Sequence, residues 1–145
     1  MPTRILLVQG PNLSYLGKRE PQIYGTTTAA EIDAMCQEHA RKHGYAIEIF
    51  YTHVEGEAIG RIYAAVEGGV NGLVMNPAAM IFAGYALRDC LRAIPIPYVE
   101  VHLTNIDQRG MKSLTAETAR GMITGFGPHS YVLGLDAMLE LLKKP

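Results

Sequence analysis

Glu100-Val101-His102 sets a carboxylate and an imidazole two residues apart within a short apolar run at 98–103. Alternate side chains of a β-strand share a face, so the two groups point the same way. A carboxylate beside an imidazole fixes its tautomer and favours its protonated form, which makes a competent general acid. A structural histidine satisfied at a strand end would give the same pattern. A second set of reactive types lies in residues 10–25, GPNLSYLGKREPQIYG, which holds the carboxamide of Asn12, the guanidinium of Arg19 and the phenol of Tyr24. Free tyrosine titrates near ~10. A close arginine favours the phenolate, so Tyr24 could take a proton from carbon beside a carbonyl. The competing account is a packing tyrosine and an unrelated arginine on a mobile polar loop.

These groups need a frame to bring them together. Ile5-Leu6-Leu7-Val8 predicts a strand at 4–9 that runs into the Gly10 loop, with no helical pattern before about Thr28. Thr28 and Glu31 form a capping box for a helix reaching about His43, with Gly44 as its C′ residue and Ile32, Met35, Cys36 and His39 on one face. Further strands are predicted at 45–51, 72–75, 98–103 and 122–124. Further helices are predicted at 57–67, 82–92 and 131–143, the last with two lysines near its C-terminus. Strands alternating with helices indicate an α/β domain, a flavodoxin-like three-layer sandwich around a five-stranded parallel sheet. Ligands then sit outside the carboxyl ends of the strands, where Asn12, Asn76, Glu100, His102 and Thr104 would converge.

The 145 residues suit a single domain spanning 1–145, with 48% hydrophobic and 19% charged residues. A formal charge of −1 gives no electrostatic reason to expect nucleic acid or an anionic membrane. Two cysteines, Cys36 and Cys90, lie inside helical patterns, and the expectation is a reduced, cytoplasmic protein with buried thiols. No run approaches membrane-spanning length, and the N-terminus lacks a long apolar segment with a small-residue cleavage site. Gly125-Phe126-Gly127-Pro128-His129-Ser130 lacks the third glycine of a dinucleotide fingerprint and reads as a tight turn into the last helix. His39 and His43, four apart on a helix, are a metal-type pair for which the sequence indicates no third ligand; surface or cap histidines are the expectation, with no metal.

Four separated stretches, LLVQGPNLSYLGKREPQIYG, NP–ALRD at 76–89, PYVEVHLTN and GFGPHSYVLGL, together resemble the type II dehydroquinases (3-dehydroquinate dehydratases) over nearly the whole chain. The resemblance implies a cofactor-free, flavodoxin-like lyase that removes water from 3-dehydroquinate by anti elimination through an enolate, in the shikimate or quinate pathway, and assembles as a dodecamer. It implies that Tyr24, made acidic by Arg19 and Arg109, abstracts the proton, that Asn12 holds a water that stabilises the enolate, and that His102, oriented by Glu100, protonates the departing hydroxyl. Asn76 and the backbone amides of Leu103 and Thr104 would hold the substrate carboxylate. Asp89 would reach a neighbouring subunit's site.

Two departures stand out. The family's Thr-His pair after the third strand is Ile81-Phe82 here, and the stretch after Arg109 is about three residues short and lacks a further arginine, leaving Lys112 as the nearby cation. The lost groups would meet ring hydroxyls remote from the elimination, and Ile81 beside Phe82 would make that wall more apolar. Three functions fit these residues: a 3-dehydroquinate dehydratase with a rebuilt site, a related lyase for another cyclic hydroxyketone carboxylate, and a catalytically silent binding or assembly protein.

Overall fold

The computed structural model describes residues 2–143. In chain order the elements are β1 (Arg4–Gln9), α1 (Pro21–Tyr24), α2 (Ala29–His43), β2 (Ala46–Tyr51), α3 (Glu55–Glu67) and β3 (Gly72–Asn76). They continue with α4 (Met80–Ala83), α5 (Tyr85–Ala93), β4 (Tyr98–His102), β5 (Gly121–Thr124) and α6 (His129–Leu142). The five strands form one parallel sheet in the order β2-β1-β3-β4-β5, with Gln9 opposite Asn76 and Met75 opposite Glu100. This is the flavodoxin-like order, and its switch point lies between β1 and β3.

Period-two alternation divides the core into two layers. Ile5, Leu7, Val74, Val99 and Val101 pack against Ile32, Cys36 and Ala40 of α2 and Tyr131, Leu135 and Met138 of α6. Leu6, Val8, Leu73, Met75 and Tyr98 pack against Ala58, Ile62 and Ala65 of α3 and Leu87, Cys90 and Leu91 of α5. Both thiols are free and buried. No helix among the described residues is long and apolar enough to cross a membrane.

The capping box of α2 forms as its sequence indicates: Glu31 N donates to Thr28 Oγ1 at 3.1 Å, and Thr28 N donates to Glu31 Oε1 at 3.1 Å. Two expectations need correction. The loop after β1 is not without structure, because Leu13–Tyr15 make a 3-10 turn and Pro21 starts the single turn of α1 from its N-terminal position. The helix expected at 82–92 is two helices, broken at Gly84, where a Cβ would lie 2.3 Å from the Met80 carbonyl oxygen. In α6, Lys143 is the C-cap and donates to Glu140 Oε2 at 2.8 Å, while the second lysine, Lys144, lies outside the described residues.

Candidate active site

The carboxyl end of β4 carries a polar column on one face. Tyr98, Glu100 and His102 alternate with the apolar Val99 and Val101, and all five are buried. Glu100 accepts from His102 Nε2 at 2.7 Å, Tyr98 Oη at 2.6 Å, Thr115 Oγ1 at 2.5 Å and also Ser113 Oγ. Burial is the largest single influence on this carboxyl and pushes it up. The hydrogen bonds from His102, Ser113, Thr115 and Tyr98 together outweigh burial and hold it below its ordinary value. Glu100 is therefore a buried anion at neutral pH. Its bond to Nε2 leaves Nδ1 as the ring nitrogen with no protein hydrogen bond among the described residues, on a side chain that lines a cavity.

That cavity, of about 320 Å³, opens at the carboxyl ends of β1, β3 and β4. Chain geometry forces the loop after β1 over it. Gly10 N donates to the Asn76 carbonyl at 2.9 Å, and a Cβ on Gly10 would lie 2.5 Å from the Pro77 carbonyl oxygen. Only glycine lets the two strand ends approach this closely. The start of the loop is then anchored by Leu13 and Leu16, 2% and 3% exposed.

From that anchor, α1 delivers Tyr24 half-buried into the cavity wall. The Arg19 guanidinium lies 4.4 Å from the ring centroid and that of Arg109 lies 5.7 Å away. Arg109 Nη1 also reaches Tyr24 Oη at 3.5 Å and donates to Thr104 Oγ1 at 3.0 Å. Two guanidiniums thus lie beside the ring, that of Arg19 also paired with Glu20 at 3.6 Å.

The backbone here is strained. Among the described residues three non-glycine positions have positive φ: Asn12 at 71°, Glu20 at 36° and Ala78 at 50°. All three line this cavity. Such conformations cost on the order of 1–3 kcal/mol each and persist where surrounding structure holds them. Asn12 is held by its own backbone N–H, which donates to His53 Nδ1 at 3.0 Å, and Ala78 by Asn76 Oδ1, which accepts its N–H at 3.1 Å.

The structure brings Asn12, Arg19, Tyr24, Asn76, His102, Leu103, Thr104 and Arg109 to one cavity, with Glu100 directly behind His102. Asn76 has spent most of its amide: Nδ2 donates to Tyr131 Oη at 2.9 Å, and Tyr131 donates in turn to Gln9 Oε1 at 2.7 Å. One Nδ2 hydrogen is left for a ligand. Asp89 is elsewhere, on the exposed side of α5 and not among the cavity residues.

The opposite wall is apolar, formed by Leu13, Ala78, Ala79, Phe82, Ile106 and Met111. Phe82 is 58% exposed at the rim, but Ile81 is only 1% exposed and faces the core, so it adds nothing to the wall. Lys112 does not line the cavity either; it borders a neighbouring depression with Ser113 and Glu117. The turn at 125–130 is as expected, with Gly125 and Gly127 at positive φ and Phe126 N donating to Ser130 Oγ at 3.1 Å. The sequence reading missed Tyr98, Ser113 and Thr115 around Glu100. Tyr98 carried a usable signal, being two residues before Glu100 on the same strand.

Fold and cavity together define a flavodoxin-like α/β protein with the groups of a general acid–base catalyst at its topological switch point. A family model described as dehydroquinase class II matches residues 3–139. The 3-dehydroquinate dehydratase of Thioalkalivibrio sulfidiphilus is 42% identical over 97% of this chain and 98% of its own, and that of Rhizobium meliloti is 43% identical over 99% of each. The crystal structure of a type II dehydroquinase from Butyrivibrio crossotus superposes with a TM-score of 0.92 at 32% identity, covering 95% of this chain and 98% of that one. The chain belongs to the class II dehydroquinase family.

Proposed function

We propose that this protein is a 3-dehydroquinate dehydratase, a carbon–oxygen lyase of the shikimate or quinate pathway that works by anti elimination through an enolate. One observation carries the assignment of roles. His102, backed by the buried Glu100, and Tyr24, with Arg19 and Arg109 beside its ring, face the same cavity.

In this reading Tyr24 Oη, as phenolate, takes the proton from the carbon beside the ketone. The guanidiniums of Arg19 and Arg109 lie beside its ring, on the side of the cavity where the base acts. The C–H electrons pass into an enolate whose oxygen is stabilised by a water held on Asn12. Collapse of the enolate breaks the bond from carbon to hydroxyl, and the hydroxyl takes a proton from His102 Nδ1 to leave as water. Anionic Glu100 balances the imidazolium through Nε2–H and fixes which nitrogen faces the leaving group. Asn76, Leu103, Thr104 and Arg109 hold the substrate, chiefly by its carboxylate.

The working form in this proposal is a cytoplasmic homo-oligomer, a dodecamer, in which Asp89 completes a neighbour's site. Support comes from the exposed aromatic rings of Tyr63 and Tyr85 near Asp89 on the α3–α5 side, and from two free buried thiols. The function is tested by incubating the purified chain with 3-dehydroquinate and following enone absorbance together with the mass loss of one water. Saturable formation of the dehydrated product is expected. No turnover by the folded oligomer would overturn the assignment.

A further inference from the structure

We infer that His39, His43 and Asp136 form a site for one divalent first-row transition-metal ion, Zn²⁺ being the chemistry that fits best, away from the catalytic cavity. His39 and His43 lie one turn apart on α2, with ring centroids 4.3 Å apart. Asp136 comes from α6, ninety-seven positions after His39, and its Oδ1 lies 2.6 Å from His39 Nε2. One ligand atom from each of the three lies within 4.8 Å of the others. A zinc ion about 2.0–2.2 Å from each donor needs little more than side-chain rotation to be met by all three. Two imidazoles and one carboxylate also match the ligand types zinc takes, with a water for the fourth position.

A second feature is the support behind His39. Its Nδ1 lies 2.7 Å from Tyr45 Oη, and both residues are buried. In the metal-free contact Nε2–H donates to Asp136; when a cation displaces that proton, Tyr45 Oη can accept Nδ1–H, the arrangement that orients metal-bound histidines. His43 and Asp136 are exposed, so an ion enters from solvent and the two outer ligands adjust to it. The buried ligand supplies rigidity and the exposed pair supplies access.

The site lies near the end of α2, just before β2 begins, and so towards the amino ends of the strands rather than the catalytic edge. Bound metal therefore ties α2 to α6 and stabilises the fold without touching the reaction. An ion that binds only the folded chain raises its melting temperature progressively as its free concentration exceeds Kd.

The test is calorimetric titration of ZnCl₂ into the chelator-stripped full chain, with thermal melts in parallel, for the native protein, His43→Ala, Asp136→Asn and the control His129→Ala. Every substituted side chain is exposed, so the fold is retained. One zinc per chain and a higher melting temperature are expected for the native protein and the control. A tenfold or greater loss of affinity is expected for both His43→Ala and Asp136→Asn. No saturable binding by the native protein, or native affinity in either variant, would overturn the site and leave His39–Asp136 as a hydrogen bond between helices only.

Discussion

His102 Nε2 lies 2.7 Å from Glu100 Oε2, and both side chains project from one face of β4, with Ser113 and Thr115 of the following segment holding the carboxylate. The pair is rigid by construction. Tyr24, its partner across the cavity, is carried by a single helical turn after a strained loop. The proposed acid is thus fixed by the sheet and the base by the loop, which gives them different sensitivities to substitution.

Glu100 is the place where site and stability meet. Its carboxyl sits below its ordinary value when folded, so the stability it contributes is fully present above the unfolded-state value of ~4.3 and is lost as pH falls through the lower folded value. Glu100→Gln presents N–H groups to hydroxyl and imidazole donors and is expected to cost about 1–3 kcal/mol at pH 7. Urea unfolding of both proteins between pH 7 and 3 measures this. The gap should narrow below pH ~4.3; a gap that stays constant to pH 3 would mean that Glu100 is not the anion described.

Phe82 governs the apolar wall. An aromatic ring cannot donate to the ring hydroxyls of a substrate, so conversion of 3-dehydroquinate should be limited by binding as well as turnover. Phe82→His is expected to raise kcat/KM about tenfold, the value of one recovered polar contact of ~1.4 kcal/mol. Ile81→Thr should add nothing to activity and should lower the melting temperature, since it sets a hydroxyl in the core. Steady-state kinetics of the two single variants separate these outcomes, and an unchanged kcat/KM for Phe82→His would shift the recognition defect to the shortened stretch after Arg109.

Assembly is tested by light scattering at micromolar concentration. A mass near twelve chains of 15.9 kDa is expected, with Asp89→Ala lowering activity while Tyr24 and His102 remain in place. A monomer that retains full activity would contradict a shared site.

Much of this was legible in the sequence wherever a regular period operates. Thr28 and Glu31 announced the start of α2, and alternation along β4 put Glu100 and His102 together. Failures came where periodicity is too short or where contact is long-range. Pro21 begins a helix of one turn, which leaves no pattern to detect. Ile81 and Phe82 are neighbours in the chain, but their side chains point in different directions, as consecutive residues of a helix do. Ser113, Thr115 and Asp136 reach their partners across loops or between helices, and no local spacing predicts such a meeting.

The most direct test compares enone formation from 3-dehydroquinate by the native protein, Tyr24→Phe and His102→Ala, each first shown to be folded by circular dichroism. Removal of a proton-transfer group is expected to cost about 10²-fold or more in kcat for each variant, with Glu100→Gln less impaired because the imidazole remains. Tyr24→Phe loses only an oxygen from a half-buried ring, so its fold should match the native protein. A folded Tyr24→Phe that turns over 3-dehydroquinate at close to the native rate would contradict the account, because the base would then be a different residue.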